Sequence, residues 1–75
     1  MITKVRLERK LRGYTAAKLS AETGIDPGTL SCLETGKRTM TRTNALRLAA
    51  AFNMDTEDVF ELTEEVDERD ALLLA

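Results

Sequence analysis

Four helix-ending residues, Gly13, Gly24, Gly36 and Asn53, divide the chain, and each is followed by a helix-starting residue: Thr15, the pair Asp26-Pro27, Thr41 and Asp55. Glycine and asparagine enter the left-handed region that closes a helix. Threonine and aspartate accept hydrogen bonds from the first free amides of the next one. Pro27 stands where a missing N–H costs nothing. This punctuation allows only short elements. It predicts helices over 3–12, Ala16–Thr23, Pro27–Thr35 and Arg42–Phe52. A fifth starts at Asp55, with Asp58 making a variant of the capping box. No segment alternates like a strand. The expected fold is therefore all-α, a compact five-helix bundle.

Helical spacing supplies the expected core: Val5, Leu7, Leu11, Leu19, Ile25, Leu30, Leu33, Leu46, Leu48, Phe52, Val59 and Phe60. Leu62 extends the apolar face of the fifth helix, and the small Ala16, Ala17 and Ala21 would let neighbours approach the second. The tail is open to two readings. Thr63-Glu64-Glu65 could cap a sixth helix, or the terminus frays. Leu72, Leu73 and Leu74 suggest an arm that docks on the body or on a second copy. The expected division is a body over 1–62 and a tail over 63–75.

Composition narrows the function classes. The chain has 75 residues, room for one small domain. It has no histidine and one cysteine, Cys32, so neither an intrachain disulfide nor a CxxC metal site can form. The longest apolar run, 48–52, is far short of a membrane span. The start lacks a signal-peptide core. The expectation is a cytoplasmic binding module without catalytic residues, metal or other cofactor.

Charge is segregated. Residues 1–42 hold nine basic residues against four acidic ones, a net of +5, whereas 43–75 hold two against nine, a net of −7. The whole chain carries only −2. Such asymmetry suits an N-terminal half that faces a polyanion. Two solvated faces would give the same count.

The span 15–34 is the most informative. Two helices of about eight residues meet at Thr23-Gly24-Ile25-Asp26. So tight a turn makes them cross steeply, as in a helix–turn–helix. Leu19, Ile25, Leu30 and Leu33 point inward, which leaves the outer face of the second helix free. An exposed helix of this kind fits the DNA major groove.

The chain resembles the phage repressor/Cro-like helix–turn–helix proteins, the xenobiotic response element family, over about 5–60. The residues that carry the resemblance are Leu-Arg-Gly-Tyr-Thr at 11–15, Leu19, Gly24-Ile25, Thr29-Leu30, Leu33-Glu34, Gly36-Lys37-Arg38, Leu48-Ala49 and Phe52. The resemblance implies a lambda-repressor-like bundle whose recognition helix is 27–35. It also implies a transcriptional regulator that binds operator DNA as a homodimer, with repression the simplest mode of action. Arg9 and Glu34 match a pair that in this family ties the recognition helix to the first helix.

Pro27, Gly28 and Cys32 stand where relatives often carry long polar side chains. Thr29, Ser31 and Cys32 are then the candidates for base contact, with Gly28 allowing close approach. Alternatively, operator shape carries more of the selectivity. Ala16 replaces a common phosphate-gripping glutamine. Phosphate contact falls to Thr15, Ala16, Lys18, Thr35, Lys37, Arg38 and Arg42, the last at a helix N-terminus, with further hydroxyls on Thr39, Thr41 and Thr43. Two alternatives stay open: an autoregulating antitoxin or restriction–modification controller, and a protein-interaction module whose acidic half binds a basic partner.

Overall fold

The computed structural model describes residues 1–67 and Arg69. Helices α1 (Lys4–Leu11), α2 (Ala16–Thr23), α3 (Pro27–Thr35), α4 (Arg42–Phe52) and α5 (Thr56–Glu61) form an all-α bundle. A two-stranded antiparallel ribbon, β1 (Ile2–Thr3) and β2 (Glu65–Val66), closes it. Gly24 (φ +72), Gly36 (φ +76) and Asn53 (φ +53) all cap helices in the left-handed region. Thr15, Asp26 and Thr41 accept first-turn amide hydrogen bonds as caps should. Asp55 does not: its side chain makes no capping bond, and α5 starts on the Asp55 backbone carbonyl alone.

The ribbon corrects the strand-free expectation. Ile2 pairs with Val66 and Thr3 with Glu65, and two-residue strands are too short to display alternation in sequence. Thr3 is therefore strand, and α1 begins one residue later than expected. Glu65 is strand too, so 63–65 does not cap a sixth helix. Instead the Lys4 and Val5 amides donate to the Glu64 and Leu62 carbonyls, each at 3.1 Å. These bonds occupy the first amides of α1, which lack an intrahelical partner. The expected arm at Leu72, Leu73 and Leu74 lies outside the described residues.

The core is Val5, Leu19, Ile25, Leu30, Leu33, Met40, Ala45, Leu48, Ala49, Phe52 and Val59, with Ile2 buried beneath the ribbon. Three expected members are exposed: Leu11 (72%), Leu46 (50%) and Phe60 (37%). The reasons are geometric. Leu11 is the last residue of α1, beyond its contacts. Buried positions on α4 run 45, 48, 49 and 52, one helical stripe that Leu46 misses. Only Val59 of α5 is buried. Leu7 and Leu62 are half-buried, and Ala16, Ala17 and Ala21 are exposed. Tyr14 packs on Phe52, ring centroids 6.3 Å apart, while the Arg12 guanidinium lies 5.2 Å from the same ring.

Thr3 links the ribbon to α3. Its buried hydroxyl contacts the Leu33 carbonyl at 2.9 Å and the Glu34 carbonyl at 3.3 Å, two of the groups a helix C-terminus leaves open. Thr3→Val keeps the shape and strands a buried acceptor. We expect a loss of about 1–3 kcal/mol in urea unfolding, with the helical circular dichroism of the folded state unchanged.

Candidate nucleic-acid interface

Helix α3 is held from behind and left bare in front. Leu30 and Leu33 face the core, while Pro27, Gly28 and Ser31 are exposed and Thr29 and Cys32 half-buried. Asp26 Oδ2 accepts from the Gly28 and Thr29 amides at 3.0 and 3.3 Å, which fixes the start of the helix. At its end the Gly36, Lys37 and Arg38 amides all turn back to the Cys32 carbonyl. Gly36 cannot be replaced lightly because of its positive φ; the Glu65 carboxylate also lies over it, though that exposed side chain can swing aside.

Arg9 and Glu34 meet in a two-pronged pair. Arg9 Nε donates to Glu34 Oε2 at 2.9 Å and Nη2 to Oε1 at 3.0 Å, while Nη1 donates to the Tyr14 carbonyl at 2.9 Å. Both side chains are close to fully buried, at 11% and 6% exposure. One guanidinium thus fastens α1, the α1–α2 connection and α3.

The turn between α2 and α3 is stitched by residues that sequence reasoning passed over. Ser20 Oγ donates to the Ile25 carbonyl at 2.6 Å. Thr23 Oγ1 donates to the Leu19 carbonyl at 2.7 Å and accepts from the Ile25 amide at 3.2 Å. Arg47, reaching over from α4, donates to the Gly24 carbonyl at 3.2 Å. A serine and a threonine in the last turn of a helix that ends at glycine were the available signal, since such hydroxyls bond readily to nearby backbone. Nothing in the sequence marks the reach of Arg47.

Seven of the eleven basic residues fall into two groups. Lys4 pairs with Glu64 at 2.7 Å, Arg9 with Glu34 and Arg12 with Glu8 at 2.8 Å. Lys18, Lys37, Arg38 and Arg42 are exposed and form no ion pair among the described residues. Arg38 does touch α3: its Nη1 lies 3.4 Å from Thr29 Oγ1. Thr15 Oγ1 is engaged with the Lys18 amide, and Ala16 opens α2 as an exposed residue. Thr35 is less available than its sequence position suggests, because its hydroxyl donates to the Ser31 carbonyl at 2.9 Å. Thr39, Thr41 and Thr43 are exposed.

A family model described as helix-turn-helix matches residues 5–59, most of the chain. The chain belongs to the helix–turn–helix family. It is of the Cro/C1 or xenobiotic response element type, a family of transcriptional regulators. It is also 37% identical to an uncharacterized HTH-type transcriptional regulator, YgzD, of Bacillus subtilis (strain 168), over 65 residues that cover 87% of this chain and 98% of the relative. No solved structure matches.

In this helix–turn–helix the outer face of α3 offers the small groups of Pro27, Gly28, Thr29, Ser31 and Cys32, with Arg38 at one flank. Among the described residues no cluster of three or more cysteine, aspartate or glutamate side chains could hold a metal, and no helix is long and apolar enough to cross a membrane. The Tyr14 phenol is pushed above its ordinary value, chiefly because its hydroxyl donates to Glu22 Oε2 at 2.8 Å. That bond joins the connection before α2 to α2 itself, apart from the α3 face.

The Arg9 fork cannot be copied by a single ammonium. Glu34→Gln leaves the buried Arg9 guanidinium without its charged partner, for an expected loss of about 3–5 kcal/mol. Arg9→Lys keeps the charge but not the fork or the bond to Tyr14, for an expected loss of about 1–3 kcal/mol. Chemical denaturation of both variants checks this. Equal stability with the native chain would show that the pair does not hold α3.

Proposed function

We propose that the protein is a sequence-selective DNA-binding regulator that acts as a homodimeric repressor in the cytoplasm. The observation that carries this reading is the contrast across α3: a helix fastened from behind by Arg9 and Thr3, bare in front, with uncommitted cations on the elements before and after it in the chain. The relative's name as a transcriptional regulator points the same way.

In this reading α3 enters the major groove. Pro27 and Gly28 let the backbone come close, and Thr29, Ser31 and Cys32 face base edges, where the Thr29 methyl can meet a thymine methyl. Thr15, Lys18, Thr35, Lys37, Arg38 and Arg42 neutralise or bond phosphates, helped by the open first-turn amides at Ala16 and Arg42. The body over 1–62 carries DNA contact, and the segment over 63–75 begins by pairing with β1. Two copies would place their recognition helices in successive major grooves, about 34 Å apart. Phe60 on α5, exposed and apolar, supplies the dimer contact.

The reading is tested by selection from a random duplex pool at low salt, followed by affinity measurements at two salt concentrations. A palindrome with half-sites one helical turn apart is expected. Lys37→Ala and Arg42→Ala should weaken binding to every sequence, each flattening the slope of log affinity against log salt by about 0.9. Absence of binding at low salt would overturn the reading and favour a protein-interaction module, consistent with the exposed carboxylates Glu57, Asp58 and Glu61 on α5.

Phe60→Asp should convert a dimer to a monomer in light scattering while leaving the circular dichroism unchanged. A dimer that survives the substitution places the contact elsewhere.

A further inference from the structure

The face of α3 poses a problem for base reading. Pro27, Gly28, Ser31 and Cys32 carry no planar group able to form two parallel hydrogen bonds with a purine edge. The turn behind the helix supplies one. Gly36 reverses the chain, and the Lys37 and Arg38 amides settle on the Cys32 carbonyl at 2.9 and 3.3 Å. This places the Arg38 backbone beside the end of α3. Its side chain then runs back along the helix until Nη1 lies 3.4 Å from Thr29 Oγ1, nine residues earlier. Thr29 and Cys32 are one helical turn apart, so the Arg38 residue lies along one flank of α3, with its amide at Cys32 and its guanidinium at Thr29 in the first turn.

Two further facts leave Arg38 available to a base. It is exposed and has no ion pair among the described residues. A guanidinium also has five N–H donors, and the contact with Thr29 uses one. The neighbouring Lys37 makes no side-chain hydrogen bond or ion pair back to α3 among the described residues. A cation steered onto the recognition helix travels into the groove with it, whereas one at the tip of the turn stays at the backbone.

We propose that Arg38 reads sequence: held by Thr29, its guanidinium donates in two-pronged fashion to O6 and N7 of a guanine in each half-site. Thr29 acts as the positioning residue. The proposal rests on the DNA-binding reading above and revises it at one residue, moving Arg38 from the phosphates to a base edge and naming the base.

The test compares native chain, Arg38→Ala, Arg38→Lys and Lys37→Ala on the pool-selected duplex and on a set with each base pair of the half-site replaced in turn. Circular dichroism confirms that each exposed-site variant is folded. Arg38→Ala should lose about 5- to 150-fold of discrimination at one guanine per half-site, with the ranking at other positions kept. Arg38→Lys should lose part of it, because an ammonium can also reach O6 and N7 but lacks the planar fork and the brace on Thr29. Lys37→Ala should weaken all sequences alike. If Arg38→Ala also weakens all sequences alike, if Arg38→Lys keeps the guanine preference in full, or if the selected half-site lacks guanine, the proposal is overturned while DNA binding stands. If the native chain binds no duplex at low salt, both readings fall together.

Discussion

The buried fork between Arg9 and Glu34 is the constraint on which the rest of the structure depends. Helix α3 leaves Pro27, Gly28 and Ser31 exposed and is fastened from its opposite side. Leu30 and Leu33 fix its depth in the core but not its rotation, because apolar packing has little directionality. Two parallel N–H···O bonds from a planar group have both direction and register. The third nitrogen of the same side chain reaches the Tyr14 carbonyl, so the start of α2 and the rotation of α3 are set by one residue. Bringing two charges out of water is costly, and the gain lies in geometry more than in net stability.

The same logic explains the charge pattern. A net charge of −2 describes the chain at a distance, but screening confines electrostatics to within about 8 Å at physiological salt. What matters is where cations remain uncommitted. Those on α1 and just after it are largely engaged: Lys4, Arg9 and Arg12 each have a carboxylate partner. Lys18, Lys37, Arg38 and Arg42, on α2, in the turn after α3 and at the start of α4, do not. The acidic half serves the fold in part, through Glu64 against Lys4 and Glu65 over Gly36.

The helix boundaries were legible because caps are local chemistry. Asp26-Pro27, Thr15, Thr41, Gly24, Gly36 and Asn53 each act on residues within a few positions of themselves. Burial was less legible where it depended on how far a helix overlaps its neighbours, which is why Leu11 and Leu46 read as core and are not. Met40 and Ile2 lie outside any helical period and were passed over for that reason. At the site, Arg9 and Glu34 were visible through resemblance. The long-range stitches from Thr3 to α3, from Arg47 to Gly24 and from Arg38 to Thr29 were not, since each needs two segments brought together by the fold.

The ribbon has a consequence for how the chain reaches its folded state. The bond from the Lys4 amide to the Glu64 carbonyl closes a loop of about 60 residues in an otherwise locally connected helical protein. Helices and their turns can form early from neighbouring residues, while this closure bears the entropic cost of joining distant segments. During synthesis, β1 emerges from the ribosome first and has to wait for β2. Thr3, paired in that ribbon, also bonds the end of α3, so the closure of the ribbon and the last internal partners of α3 are linked through one residue.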